Sequence, residues 1–420
     1  MKTRPSLLAV TSEVPWPLSS GGHLRTYHLM LSLARRFDVR LVVPAALDEH
    51  KGLVALSRAG IDVRAVTVRP RRALTEAWRI ADAAVRRDPY VLYSRHRRGS
   101  VREMLRAEAS RRPPDLLYLD HLDSFIYADT AGSAPIVIDM HNVYSTIAAR
   151  ASREAADFAR RQYLRAEAGL LRRKEQAAAR TAHTIFSCSH EEAGYFRGLG
   201  AEHVVMVPNG VDTVALPCRR AQTPGPPTVL FIGALEWAPN VGAVRFLARE
   251  VMPIVRRRVP HAVLSIVGRR PGAEVLSLAE PSRVEIVADA PDVRPHWQRA
   301  SLLAVPLETG GGTRIKILEA FAAGVPVVST PVGCEGIAAN DGEHLLVAPR
   351  ETFAESVIDV LLDPAAARTR AVAARTLAEL EYDWWSIGAR AAERLLFVAG
   401  HSRHAPPTFD APLQSEVHVP

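Results

Sequence analysis

A run of three glycines followed by two basic residues is the strongest candidate binding segment of this sequence. Gly310–Gly312 carry no Cβ, so several backbone amides there can approach an anion closely. Arg314 and Lys316 follow in what we predict to be the first turn of a helix, where cations oppose the helix dipole. Their presence is favourable only beside a bound anion, so the segment predicts a diphosphate site.

A carboxylate on the same predicted helix could complete this site. Glu319 lies three residues after Lys316, a spacing that puts both side chains on one helix face. A carboxylate there can accept two hydrogen bonds from vicinal hydroxyls, as a ribose offers. The alternative is a glycine-rich turn in which Glu319 pairs with Lys316 and no ligand binds.

Two segments of the first half could contribute further binding groups. Gly21 and Gly22 follow a predicted strand and open a helix, whose N-terminus would attract an anion. His141 follows another predicted strand and would stand at its carboxyl end. A glycine pair is also common in plain turns, and a lone histidine is more often structural. Competing histidines are His23, His121 and His190.

The sequence contains neither an Asp-x-Asp pair nor a His/Cys/Asp cluster with metal-site spacing. Charge on a diphosphate would then be met by amides, helix termini and basic side chains, without a metal or an organic cofactor. Cys188, Cys218 and Cys334 are odd in number and widely spaced, which favours a reducing cytoplasm.

The elements that must position these residues alternate between short apolar strands and helices, which predicts α/β domains built from parallel β-α-β units. Such sheets bind ligands at the carboxyl ends of their strands. Predicted strands cover 7–11, 39–43, 63–68, 116–119, 136–139, 184–187, 229–232, 262–267, 284–287, 302–306 and 325–329. Predicted helices cover 23–36, 242–258, 293–300, 313–323 and 365–398, and one or two further helices cover 151–181.

A proline-rich stretch at 206–227 interrupts this alternation. We therefore predict an N-terminal Rossmann-like domain over 1–205 and a C-terminal one over 206–380. A terminal helix over 381–400 and a disordered tail over 401–420 would follow.

The net charge of +8 is unevenly distributed, because residues 1–200 carry 32 Lys and Arg against 21 Asp and Glu. This excess is either an ordinary solvated face or a docking face for an anionic membrane or a phosphorylated acceptor. Nucleic acid is disfavoured, since no aromatic residues interleave with the basic clusters. The sequence has no apolar run long enough for a membrane-spanning helix.

Together the motifs resemble glycosyltransferase family 4, whose members are retaining enzymes of the GT-B architecture, with two Rossmann-like doubly wound domains facing across a cleft. The resemblance covers about residues 5–395, and WAPN at 237–240 and CEGI at 334–337 are similar to a bacterial exopolysaccharide and secondary-metabolite subgroup. The motifs are GGHLRTYHL at 21–29, MHN at 140–142, PNGVD at 208–212 and GGGTRIKILEAFAAGVPVVST at 310–330.

The resemblance implies metal-independent transfer of a sugar, with retention, from a nucleotide-diphosphate donor to an acceptor hydroxyl. The N-terminal domain would bind the acceptor, which would be a glycan, a lipid-linked sugar or a small natural product. The C-terminal domain would bind the donor, and the helix bearing Trp384 and Trp385 would cross back to the N-terminal domain.

The same resemblance implies roles for individual residues. His141 would sit near the transferred sugar, and Glu319 would match the second glutamate of the family's E-x7-E motif and bind the ribose. Both are our candidates for catalytic residues. Donor contacts are implied for Gly21, Gly22, Gly311, Gly312, Thr313, Arg314 and Lys316.

Two departures from the family pattern affect the donor site. The first glutamate of E-x7-E falls on Gly311, with Glu308 three residues upstream. The basic pair that the family has after the first strand of its second domain is absent from GALEWAPN at 233–240. We hypothesise that Arg314 and Lys316 replace that pair. The rival functions are a nucleotide-sugar 2-epimerase, a catalytically silent nucleotide-sugar-binding protein and a membrane-docking scaffold.

Overall fold

The computed structural model divides the chain into two compact units. The first comprises residues up to Pro208 together with those from Ile387 onward, and the second comprises Asn209–Ser386. The residues described by the structure are 4–18, 20–68, 73–155, 157–216, 218, 225–309 and 314–400. The tail predicted over 401–420 lies outside them.

The first unit is built on a seven-stranded parallel sheet with the strand order β3-β2-β1-β4-β5-β6-β7. Its strands are β1 (Ser6–Val10), β2 (Asp38–Ala45), β3 (Asp62–Thr67), β4 (Leu116–Asp120), β5 (Ile136–Met140), β6 (Thr184–Ser187) and β7 (Val204–Met206). Its helices are α1 (Gly21–Leu33), α2 (His50–Arg58), α3 (Ala73–Arg86), α4 (Gly99–Arg111), α5 (Tyr144–Glu154), α6 (Phe158–Thr181) and α7 (His190–Gly198). Short 3-10 turns cover Ser94–His96 and Leu122–Thr130.

The second unit has a six-stranded parallel sheet in the order β10-β9-β8-β11-β12-β13. Its strands are β8 (Thr228–Ala234), β9 (Val263–Arg269), β10 (Val284–Ala288), β11 (Leu302–Val305), β12 (Val327–Ser329) and β13 (Leu346–Val347). The helices are α8 (Ala238–Phe246), α9 (Met252–Arg258), α10 (Ala273–Leu276), α11 (Arg294–Arg299), α12 (Ile315–Ala323), α13 (Phe353–Leu362), α14 (Pro364–Glu381) and α15 (Trp384–Val398). From Ile387 onward, α15 is part of the first unit.

The predicted fold class is confirmed, because each unit is a doubly wound α/β sheet. The central strands are continuous buried apolar runs, such as Leu7–Val10 in β1, as expected where helices cover both faces of a parallel sheet. Every predicted strand is present, with ends shifted by no more than two residues. Strands β7 and β13 were not predicted, since they have only three and two residues.

Several predicted helix boundaries were wrong for identifiable reasons. Helix α1 begins at Gly21, two residues earlier than predicted, because the Ser20 hydroxyl accepts a hydrogen bond from the His23 amide and caps it. The stretch predicted as helix over 151–181 is α5 and α6, and α6 starts where the Asp157 carboxylate caps the Arg160 amide. A π-helical turn at Leu247–Val251 interrupts the helix predicted over 242–258, just before Pro253.

Within the described residues, no helix is both long and apolar enough to span a bilayer.

Candidate functional site

The site in the first unit is built where two neighbouring strands end together. The register of β4 and β5 pairs Asp120 with Asp139. His121 directly follows β4 and His141 directly follows β5, and the His121 amide donates to the Asp139 carbonyl over 3.0 Å. Strand pairing therefore brings two carboxylates and two imidazoles to one edge of the sheet, as the carboxyl ends of parallel strands require.

His141 is a buried imidazole bound to two carboxylates. Its Nε2 lies 3.0 Å from the Asp120 carboxylate and 3.2 Å from that of Asp139. Burial would lower the pKa of His141, but the two carboxylates outweigh burial and raise it to about 9. The ring is therefore protonated at neutral pH and presents an N–H at both nitrogens.

A buried ion pair fixes the Asp139 carboxylate behind His141. Arg25 of α1 donates Nε and Nη2 to Asp139 at 2.9 and 2.6 Å, and neither side chain is exposed. The Arg25 Nη1 also donates to the carbonyls of Val207 and Pro208. Burial opposes ionisation of Asp139, but Arg25 and His141 hold its pKa well below the usual range. A bidentate pair of this kind sets the position of the carboxylate that orients His141.

His121, in contrast to His141, is a neutral imidazole. Its ring centroid lies 3.5 Å from that of His141, and its Nδ1 is 2.6 Å from the Tyr144 hydroxyl oxygen. Burial and the neighbouring charge of His141 lower the pKa of His121 to about 3, so this ring is neutral. Its backbone has φ +68° and ψ 162°, a conformation that only glycine adopts without strain. Strain at this position shows that the surrounding structure holds His121 in place.

Both rings face the first turn of α1. A Cβ added to Gly22 would lie 3.6 Å from His121 Nε2 and 3.7 Å from His141 Nδ1. Among the described residues, His141 Nδ1 has no hydrogen-bond partner although it is buried. The N-terminus of α1 is the positive end of the helix dipole, and Gly21 and Gly22 leave its amides uncovered. A protonated imidazole and a helix N-terminus together favour an anion.

The cluster also contains residues of the kinds that bind metal ions, although their spacing in the sequence did not predict a metal site. Asp120, His121 and His141 each offer a ligand atom within 4.8 Å of the others. Zn²⁺ accepts such carboxylate and imidazole donors. The positive end of α1 and the charge on His141 act on the same place, however, and both repel a cation. The carboxylates of Asp120 and Asp139 attract one, so the cluster presents charges of both signs at this edge of the sheet.

The remaining candidate histidines are not hydrogen-bonded to this cluster in the described part of the chain. His23 pairs with Glu13, with 2.9 Å between Nε2 and Oε1, and its Nδ1 bonds to the Pro17 carbonyl. His190 is the exposed first residue of α7. Of the competing histidines, only His121 contacts His141 directly.

In the second unit, Lys316 reaches from α12 to the end of β8. Its Nζ donates to the Asn240 side chain over 3.1 Å and lies 4.3 Å from the centre of the Phe231 ring. A Cβ on Gly233 would come within 2.8 Å of that Nζ, so the lysine occupies space that a glycine leaves. Burial and the charge of Arg314 lower the pKa of Lys316 to about 7. The ammonium therefore lies where a further anion would stabilise it.

Arg314 and Glu319 lie at the same end of the sheet. Arg314 is buried directly before α12, and its Nη2 donates to the Val332 carbonyl over 3.4 Å. Burial raises the pKa of Glu319 to about 7, against the opposing charge of Lys316. Glu308 forms a 2.9 Å ion pair with Arg350 and is largely exposed. Residues 310–313 lie outside the described part of the chain, so contacts of Gly311, Gly312 and Thr313 stay predictions.

The structure thus groups Gly22 with His141 in one unit, and Arg314, Lys316 and Glu319 in the other. Sequence reasoning named His121 as a competing candidate but missed Asp120, Asp139 and Arg25 as parts of the first group. One signal was available, since DH at 120–121 follows a predicted strand and DMH at 139–141 begins at the last residue of another.

Family models match both halves of the chain. One described as Glycosyltransferase Family 4 matches residues 19–215, and one described as Glycosyl transferases group 1 matches residues 226–363.

Two relatives and two solved structures show the range of similarity. The chain is 29% identical over 249 residues to a glycogen synthase of Mycobacterium tuberculosis, covering 56% of this chain and 58% of the relative. It is 34% identical over 162 residues to a GDP-mannose-dependent alpha-(1-6)-phosphatidylinositol monomannoside mannosyltransferase of Mycolicibacterium smegmatis, covering 35% and 42% of the two chains. The alignments therefore span less than two thirds of these relatives.

The structural matches cover nearly the whole chain. Anabaena Alr3699/HepE, solved in complex with UDP and glucose, has a TM-score of 0.63 at 16% identity, covering 93% of this chain and 99% of that one. Sucrose-phosphate synthase from Thermosynechococcus elongatus has a TM-score of 0.66 at 18% identity, covering 94% and 100%. At these identities the likeness concerns the fold.

Proposed function

The chain belongs to glycosyltransferase family 4, and from this premise we propose that it moves a sugar from a nucleotide-diphosphate donor to an acceptor hydroxyl. We propose that the second unit binds the donor and the first unit binds the acceptor. The transfer retains the anomeric configuration and uses neither a metal ion nor an organic cofactor. The UDP bound to Anabaena Alr3699/HepE supports a nucleotide-sugar co-substrate.

The position of Lys316 carries this proposal. The family's basic pair after the first strand of the second domain is missing here, and Lys316 of α12 brings its ammonium to the end of that strand. Arg314 precedes the same helix and is buried. We propose that these two cations bind the diphosphate of the donor, and that Glu319 accepts hydrogen bonds from the ribose hydroxyls.

The leaving diphosphate gains negative charge as the bond to the sugar breaks. Burial and Arg314 destabilise the charged form of Lys316, as its lowered pKa shows. A diphosphate beside it would stabilise the ammonium. In many enzymes, stabilising the charge that develops in the transition state accelerates the reaction more than any other single effect. The acceptor hydroxyl attacks from the face that the diphosphate leaves, and a phosphate oxygen takes its proton.

The first unit adds a second set of anion-binding groups. We propose that the amides of Gly21 and Gly22 contact donor phosphate and that the Nδ1–H of His141 donates to a hydroxyl of the transferred sugar. The unpartnered Nδ1 and the ring's protonation support this role. The acceptor is a glycan, a lipid-linked sugar or a natural product, and the lipid acceptor in the name of the mycobacterial mannosyltransferase supports the second class.

Calorimetric titration with UDP and GDP tests the donor site directly. We expect Lys316→Ala to weaken binding about tenfold or more, since a charge-assisted hydrogen bond is lost. Above pH 7 the wild type should take up a proton on binding, because the diphosphate raises the pKa of Lys316. Lys51→Ala is the matched control, since Lys51 is exposed on α2. Unchanged affinity and proton uptake in Lys316→Ala would overturn the donor-site assignment.

A transfer assay separates catalysis from binding alone. Donors that stabilise the protein are incubated with candidate acceptors in the presence of EDTA, and the anomeric configuration of the product is read by NMR. Retention without added metal is expected. The absence of the first E-x7-E glutamate, where Gly311 stands, favours a catalytically silent binding protein as the second candidate. That candidate predicts nucleotide binding with neither transfer nor donor hydrolysis.

A further inference from the structure

Helix α3 of the first unit touches the protein along one narrow face. Ala83 is its one buried residue. Arg79, on the same side, donates its Nη2 to the carbonyls of Ser94 and Arg97 over 2.8 and 2.9 Å. These contacts fix how the helix is rotated about its axis and therefore which side faces outward.

The outward side of α3 is apolar. Leu74 and Trp78 are 87% and 69% exposed, and Val85 is 85% exposed. Leu74, Trp78, the exposed Ala81 and Val85 follow one another at intervals of four, three and four residues, which places them on a single stripe of the helix. On a helical wheel that stripe lies opposite Ala83. A surface helix normally turns its apolar side toward the core, so this helix has the reverse orientation.

The segment that carries this stripe has an excess of positive charge. The described residues 73–98 contain six arginines against three carboxylates. Arg86 and Arg87 are exposed at the C-terminal end of α3, although Arg86 also pairs with Asp82 within the helix. Arg95 is exposed in the following turn, whose carbonyls Arg79 contacts. Apolar and aromatic side chains flanked by arginines match the boundary between acyl chains and anionic headgroups.

The first half of α6 also carries exposed aromatic and basic side chains. The backbone of Tyr90 and Val91, just after α3, hydrogen-bonds to Glu167 of α6. Phe158 and Tyr163 of that helix are 69% and 49% exposed. Exposed Arg160 and Arg165 lie among them in the sequence. Helix α6 therefore also combines exposed aromatic rings with arginine.

We propose that the exposed face of α3 docks this protein on an anionic lipid bilayer, with Leu74, Trp78 and Val85 entering the headgroup boundary. A second copy of the chain fits this face less well, because two copies would bring the same arginines together. A bilayer rich in anionic lipid neutralises those arginines while it covers the apolar stripe. The proposal goes beyond the transfer reaction and does not depend on it.

Vesicle co-sedimentation of the full chain tests this docking. Vesicles of equal parts phosphatidylcholine and phosphatidylglycerol should bind the wild type, whereas vesicles of phosphatidylcholine alone should bind it at least about tenfold more weakly. Raising the salt concentration should weaken binding to the anionic vesicles. The double variant Leu74→Gln with Trp78→Gln should lose about tenfold or more in partitioning, since its apolar anchor is gone.

Trp385→Gln is the matched control, because Trp385 is 59% exposed on α15 and should leave binding unchanged. Circular dichroism and nucleotide binding confirm that each variant is folded. The proposal is overturned if the wild type ignores anionic vesicles or if the double variant binds them as the wild type does. It is also overturned if ultracentrifugation shows a wild-type dimer that the double variant no longer forms. None of these outcomes affects transfer to a water-soluble acceptor, so the two proposals fail separately.

Discussion

His141 and His121 lie ring against ring, yet their surroundings drive their protonation in opposite directions. Two carboxylates hold a proton on His141, while burial and the charge of His141 keep His121 neutral. One ring is therefore a fixed donor, and the other is a neutral ring bonded to the Tyr144 hydroxyl. An arrangement of this kind can contact two different polar groups of one ligand without a change of protonation.

The raised pKa of His141 makes the stability of the protein depend on pH. A group whose pKa is higher in the folded state stabilises fully below its unfolded pKa, near 6.5, and loses this effect as pH rises through about 9. We expect the contribution of His141 to the free energy of unfolding to fall over that interval by up to roughly 3 kcal/mol. This contribution is the difference between the profiles of the wild type and a His141 variant, because the lowered pKa of Lys316 acts in the opposite direction above pH 7 in both proteins. Urea unfolding at several pH values measures it.

The variant His141→Gln should remove this dependence, whereas His190→Gln should retain it because His190 is exposed. His121 acts in the opposite window, since its lowered pKa costs stability as pH falls below 6.5. Profiles of the wild type and His141→Gln that run parallel between pH 6.5 and 9 would contradict the protonated state assigned to His141.

A functional residue could be predicted from the sequence where it lies within or beside a recognisable motif. His141 and Lys316 could be named because each lies beside its own motif. Asp120 stands in a DH pair after a predicted strand, but its contact with His141 follows only from the register of β4 and β5. Arg25 could not be named, since it meets Asp139 only through the packing of α1. Contacts across 114 residues, such as Arg25 with Asp139, leave no local pattern.

Between elements, two glycines allow β8, β9 and α12 to approach closely. A Cβ on Gly268 of β9 would lie 1.9 Å from the Gly233 carbonyl oxygen, which is backbone and cannot move aside. A Cβ on Gly233 would instead meet Lys316 Nζ at 2.8 Å and Asn240 Nδ2 at 2.9 Å. These are the ends of side chains, so they can shift while the sheet stays intact.

Gly233→Ala should therefore leave the protein folded and weaken diphosphate binding. We expect UDP or GDP affinity to fall about tenfold, because Lys316 loses its place beside Asn240. Gly242→Ala on α8 is the control: its Cβ would meet open space, and alanine should stabilise the helix by about 0.5–1 kcal/mol. If Gly233→Ala bound diphosphate as tightly as Gly242→Ala, the position of Lys316 would not matter for binding.

Strands and helix ends could be predicted from the sequence where a single local pattern determines them. Apolar strands and the end of α12 at Gly324, with φ +67°, follow from composition and backbone freedom. The sequence predicted one or two helices over 151–181, because alanine, arginine and glutamate favour helix throughout this stretch. A single cap at Asp157 decides that there are two. Local capping contacts outweighed composition there.

On the scale of the whole molecule, alternation of strand and helix was enough to predict two α/β domains. The predicted boundary at 205/206 and the division after Pro208 differ by three residues, since PNGVD shows no change of composition at that point. The second unit has its own core, which includes buried side chains of Phe231, Trp297 and Phe321. A ligand that binds one unit should therefore stabilise that unit's core strands.

Hydrogen exchange followed by mass spectrometry can assign the donor to one unit. A nucleoside diphosphate at a concentration about a hundredfold above its Kd stabilises the state that binds it by about 2.7 kcal/mol. We expect exchange to slow in β8, β9, β11 and β12, and to slow less in β1, β4 and β5. In Lys316→Ala the same nucleotide concentration should protect these strands much less. Protection confined to the first unit would place the nucleotide beside His141 and reverse the proposed division of roles.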